Sequence, residues 1–229
     1  MAHHFTRAPL TAVLAALVAA APLGAQWQGV VTFHNTERGS QQDSSDIQYL
    51  EGPGGVSKMI MQDREGGPIS MIFNRSQNTA TIVMASRQMY MTMPMDQAQA
   101  EAKKQMSKLK ITDTGRSDVV AGHKCEVFHT VDPEQGSQSD ACIATDMGTF
   151  MMFDAPGSQG RGGGAASALS MVQSLFGAKG GFFPLKVTTY KDGKVENAFV
   201  ATSIQAKSIE ASEFVPPSSY KPMSMPGRP

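Results

Sequence analysis

Apolar and polar residues alternate in short runs along most of the chain. Trp27, Gly29, Val31 and Phe33 fall on one side of the first run, with Val30, Thr32 and His34 on the other. A period of two marks a strand with one face buried. Runs of the same kind cover residues 46–51, 56–62, 69–74, 79–84 and 88–93. Turn-forming clusters separate them: Gly52-Pro53-Gly54-Gly55, Glu65-Gly66-Gly67-Pro68 and Arg75-Ser76-Gln77-Asn78. Short strands at even spacing with turns between them predict a meandering antiparallel sheet. Residues 110–114, 124–131 and 139–145 extend it. Residues 183–191 and 194–205 flank Asp192-Gly193, a strong signal for a two-residue hairpin.

Two stretches break the alternation. Over residues 96–109 the apolar positions Ala98, Ala102, Met106 and Leu109 recur at helical spacing, and Asp96 is placed to cap the first turn. Residues 165–176 carry Leu169, Val172, Leu175 and Phe176 in a similar stripe. Between the strands and this second helix, residues 154–164 are rich in glycine and too polar to bury much, which predicts a mobile loop. Phe214-Val215-Pro216-Pro217 leads into a Pro- and Met-rich end, and residues 223–229 are expected to be disordered. The fold class is mainly β with two helices (α+β), and residues 26–222 make one domain.

The N-terminus reads differently. Met1 to Arg7 holds His3, His4 and Arg7 and no acid, and an Ala/Leu/Val-rich run follows from Leu10 to Pro22. It closes on Leu23-Gly24-Ala25, before Gln26. A basic start, a short apolar middle and a small residue at the cut are the parts of a secretory signal. Cleavage between Ala25 and Gln26 is therefore expected, giving a soluble periplasmic or secreted protein. A lipid-acceptor cysteine is missing at that position. The mature chain of 204 residues holds 19 basic and 20 acidic side chains. A net charge near −1 argues against nucleic acid or an anionic membrane as a partner.

Export bears on the two cysteines, Cys125 and Cys142. In an oxidising compartment such a pair forms a disulfide. If the strands around them pair with Val131 opposite Gly136, Cys125 lies opposite Cys142, within reach of a bridge. A competing set for zinc is His123, Cys125, His129 and Cys142, although that spacing is not a standard one for ligands.

Several segments taken in order prompt comparison with a family. They are Met89-Tyr90-Met91-Thr92-Met93-Pro94, Gly122-His123-Lys124-Cys125-Glu126, and the run from Ala141 and Cys142 through Asp146-Met147-Gly148. Phe183-Pro184-Leu185-Lys186-Val187 and Phe214-Val215-Pro216-Pro217, with Tyr220, complete the set. The chain resembles an exported bacterial family, domain of unknown function 4412, itself similar to the LolA/LolB group of periplasmic lipoprotein carriers. That resemblance implies an antiparallel sheet curled into an incomplete barrel, with the two helices on or in its concave face. It also implies a lipid or lipoprotein acyl chain as the kind of partner to expect. It supplies no catalytic residues.

Methionine is the compositional oddity, with 15 residues in the mature chain. Met89, Met91, Met93 and Met95 alternate, so they share one face of a strand and its exit; Met59 and Met61 repeat the pattern, with Met71 and Met84 nearby. Three readings stay open. The side chains could fill a solid core, line a deformable apolar hollow together with Met106, or bind Cu(I) through soft thioethers. No His or Cys stands beside the run, and no nucleophile elbow or His-Glu-x-x-His pattern is present. A binding or carrier protein without enzymatic activity or cofactor is the expectation, with a structural or stress-related envelope protein as the alternative.

Overall fold

The computed structural model describes residues 27–37, 44–62, 67–96, 110–133, 136–151 and 181–223. The first half of the chain forms β1 (Gly29–Glu37), β2 (Ser44–Glu51), β3 (Val56–Gln62), β4 (Pro68–Asn74), β5 (Thr79–Met84) and β6 (Met89–Pro94). The second half forms β7 (Lys110–Val120), β8 (His123–Asp132), β9 (Ser137–Ala144), β10 (Phe183–Lys191), β11 (Lys194–Ala206) and the short β12 (Lys221–Pro222). These twelve described strands belong to one open, curled sheet in the order β12-β6-β5-β4-β3-β2-β1-β11-β10-β9-β8-β7. Two meanders, β1–β6 and β7–β11, are thus joined along a seam between β1 and β11. Among the described strands only β12, beside β6, runs parallel to its neighbour.

The alternation read in the sequence sets the faces. Val31 and Phe33 on β1, Ile47 and Tyr49 on β2, Met59 on β3, and Met71 and Phe73 on β4 point inward, with Val187 and Phe199 from the other meander. These side chains form one continuous core across both meanders. Phe33 stacks on Phe199 across the seam, ring centroids 4.2 Å apart.

The outer face of the first meander carries a second, smaller cluster: Leu50, Ile72 and Val83, closed over by Ile209 and Phe214. The chain after β11 crosses this face as a strap. It makes a 3₁₀ turn at Ala211–Phe214, pairs Lys58 Nζ with Glu213 Oε2 at 3.3 Å, and then joins β6 as β12. At Gly52 the strap lies against the sheet. A Cβ there would sit 2.3 Å from the Phe214 ring.

Several sequence readings need correction. β7 runs on to Val120, well past residue 114. A bulge between Asp113 and Arg116, with Gly115 at φ +65°, absorbs the irregular stretch. The β8–β9 register also differs from the expected one. Val131 lies opposite Gln138, and Cys142 opposite Val127. Gly136 belongs to the turn, at φ +65°, with its N–H donating to Asp132 O at 2.9 Å. The chain after Phe214 lies within the domain bounds read from the sequence and reaches β12 with Tyr220 packed on the outer cluster and Val215 exposed. The Asp192-Gly193 hairpin has the positive φ at both positions (51° and 71°) that a type I′ turn needs. The two predicted helices, 96–109 except Asp96 and 165–176, lie outside the described residues, as do the 154–164 loop, the signal segment and residues 224–229.

Candidate ligand-binding face

The methionines meet in register. Val31, Tyr49, Met59, Met71, Ile82 and Met91 form one row across β1 to β6. Met61, Ile69, Met84 and Met89 form the next row across β3 to β6. On the other flank, Phe73, Ala80 and Met93 form a third across β4 to β6. Burial divides this surface. Met59 is fully buried and Met71 nearly so. Met61, Met84, Met91 and Met93 pack against the core while staying partly exposed, and Met89 is likewise half-buried. Of the residues the sequence singled out, the structure therefore brings Met59, Met61, Met71, Met89, Met91 and Met93 onto one inner surface. Met106, Ala25 and Gln26 lie outside the described residues.

The centre of the inner face is filled by the chain itself. After β9, Met147, Phe150 and Met151 turn into the curl and are buried there. Phe150 stacks on Tyr49 at 4.5 Å and meets Phe33 and Phe183 edge-on. A polar clamp holds this segment. Arg75, on the β4–β5 turn, forms an ion pair with the wholly buried Glu51 and donates to the carbonyl of Thr149 at 2.6 Å. Tyr49 Oη donates to Glu51 at 3.4 Å and accepts the Met151 N–H at 3.1 Å. Burial, reinforced by the neighbouring Glu51 carboxylate, holds the Tyr49 phenol well above the usual tyrosine range. An acid on the inward side of β2, in step with Ile47 and Tyr49, was the sequence signal for this clamp. The sequence did not reveal its partner on a distant turn.

The remaining candidates separate. Cys125 and Cys142 are joined in a disulfide with Cα atoms 5.3 Å apart, so neither thiol can ligate zinc. His123 pairs with Asp146 at 3.0 Å and His129 with Asp140 at 2.7 Å. Among the described residues no three His, Cys, Asp or Glu side chains gather as a metal set. No described helix is long and apolar enough to cross a membrane.

The inner face of the second meander holds a polar row that no sequence pattern marks. Thr130, Ser139, Thr189 and Asn197 lie in register across β8 to β11, and all four are buried. Ser139 Oγ and Thr189 Oγ1 share a hydrogen bond at 3.1 Å, and Thr130 Oγ1 donates to the Ser139 carbonyl.

No curated protein matches the chain. Among solved structures, an uncharacterized conserved protein from Thermus thermophilus is 5% identical with a TM-score of 0.52, over 87% of this chain and 91% of that one. MucB in complex with MucA(peri) is 12% identical with a TM-score of 0.46; the match covers 87% of this chain but only 57% of that one. A LolA superfamily protein from Nitrosomonas europaea is 9% identical with a TM-score of 0.35, over 84% and 91% of the two chains. The likeness to the Thermus thermophilus protein, at 5% identity, speaks to fold and not to activity. The family model described as "Domain of unknown function (DUF4412)" matches residues 27–220, nearly the whole of the described sheet, and the chain belongs to that family.

Proposed function

We propose that this chain is an exported, non-enzymatic binding or carrier protein that takes a lipid or acyl chain against the methionine surface of β3–β6. One observation carries the reading: Met61, Met84, Met89, Met91 and Met93 face inward yet remain partly exposed beside a well-packed core. Exposed apolar surface on the inside of a curled sheet is costly unless something covers it. Unbranched thioether side chains can repack around acyl chains of varied shape. The disulfide supports the oxidising compartment that export implies.

Native mass spectrometry of protein purified from the periplasm tests this reading. A co-purifying lipid, lost on Met91→Asp while the variant stays folded, is the expected result. Failure to find any bound lipid, or to bind an added fatty acid, would overturn it. Met59 and Met71, both buried, favour a second reading in which the methionines only complete a solid core of a structural envelope protein. In that case Met91→Asp unfolds the domain.

A further inference from the structure

The buried polar row points to a ligand group of definite chemistry. Asn197 is 8% exposed, and its Oδ1 has no hydrogen-bond partner among the described residues. It alternates with Phe199 along β11, so it faces the inner side of the sheet. A buried amide oxygen left without a donor costs about as much as a lost hydrogen bond. Beside it, Ser139 and Thr189 have two hydroxyl hydrogens and one bond between them, so one hydrogen stays available. Side by side, the row thus offers one free acceptor and one free donor.

Its place in the fold ties it to the methionine surface. Asn197 and Thr189 stand next to the β10–β11 turn, and Ser139 and Thr130 next to the β8–β9 turn. The row of Met61, Ile69, Met84 and Met89 ends at the β3–β4 and β5–β6 turns. All four turns lie at the same end of the sheet, the end at which β1 meets β11 through Glu37 and Asn197. An apolar row and a polar row at one end of a curl suit an amphiphile.

We propose that the Thr130–Ser139–Thr189–Asn197 row is a subsite for a secondary amide attached to an alkyl chain. The amide N–H donates to Asn197 Oδ1, and its carbonyl accepts the free hydroxyl of the Ser139–Thr189 pair. This rests on the carrier reading above and adds to it the chemistry of the head.

Calorimetric binding of N-dodecylacetamide and dodecyl acetate tests the subsite, since the two probes differ only in N–H against O. The wild-type chain should bind the amide about tenfold tighter, the gain from satisfying one buried acceptor. A hollow without the subsite gives the reverse order, because the amide loses more on leaving water. Asn197→Leu should keep its affinity for the ester and lose the preference for the amide. Should that variant not fold, Asn197→Ala, which removes the same acceptor without adding bulk, should lose the preference in the same way. Equal binding of both probes, or tighter binding of the ester, would overturn the subsite while leaving the carrier reading intact. No binding of either probe would overturn both.

Discussion

Arg75 reaches from the β4–β5 turn to Glu51 on β2, pairing a partly exposed guanidinium with a carboxylate that has no solvent contact. The same guanidinium holds the carbonyl of Thr149. Arg75 therefore ties the inserted segment 147–151 to the sheet, alongside Tyr49, which accepts the Met151 N–H. Arg75→Met removes this cation from the buried Glu51 carboxylate, and a cost of about 3–5 kcal/mol is expected. Arg75→Lys should recover only part of it, because a single ammonium cannot reproduce the planar fork. Urea denaturation of the three proteins measures both. A loss below about 1 kcal/mol for Arg75→Met would mean the pair does not hold the segment.

Tyr49 gives the clamp a pH signature. Its folded-state pKa is raised above the unfolded value of about 10, so the folded chain holds a proton that the unfolded chain gives up. The resulting stability is full below pH 10 and declines as pH rises beyond it. Urea midpoints measured from pH 8 to pH 11 should fall more steeply for the wild type than for Tyr49→Phe. Parallel curves would contradict the assignment.

The methionine surface should divide in two under truncation. Met59→Ala opens a cavity in a fully buried position and should cost about 2–5 kcal/mol. Met91→Ala, in the same row but partly exposed, should cost about 1 kcal/mol or less. Equal losses at the two sites would favour a uniformly solid core.

Gly52 and Phe214 should be coupled. The Gly52 backbone, at φ −107°, suits any residue, so only the contact with the Phe214 ring restricts it. Gly52→Ala should destabilise by about 1–3 kcal/mol through overpacking. In a Phe214→Ala background the same change should cost almost nothing. A double-mutant cycle reads the coupling, and additive losses would show that the strap does not seat on Gly52.

The disulfide should be complete and stabilising. Denatured protein should present no free thiols to a thiol reagent, and the Cys125→Ser/Cys142→Ser variant should lose about 3 kcal/mol on the chain-entropy account of a loop of this length. Two free thiols in the purified protein would show that the bond does not form.

Local order was already legible in the residues. A two-residue period is written into each strand, so the inward set of Val31, Phe33, Tyr49, Met59 and Met91 could be read before any pairing was known. Turn chemistry at Asp192-Gly193 did the same for the β10–β11 hairpin, and the two cysteines were enough to pair each other. Register was less legible. Gly136, taken as a strand partner, is a turn residue, and that shifts the β8–β9 pairing by two, so Cys125 meets Cys142 on a diagonal and not across a rung. Whether an inward methionine is buried, as Met59 is, or left partly exposed, as Met89 is, depends on which distant segment covers it. Filling of the curl by Phe150, the reach of Arg75 to Glu51 and the alignment of Asn197 with Thr189, Ser139 and Thr130 all join residues far apart in the chain. Those contacts depend on how a twelve-stranded sheet curls and which surfaces then fit, and no local period encodes that.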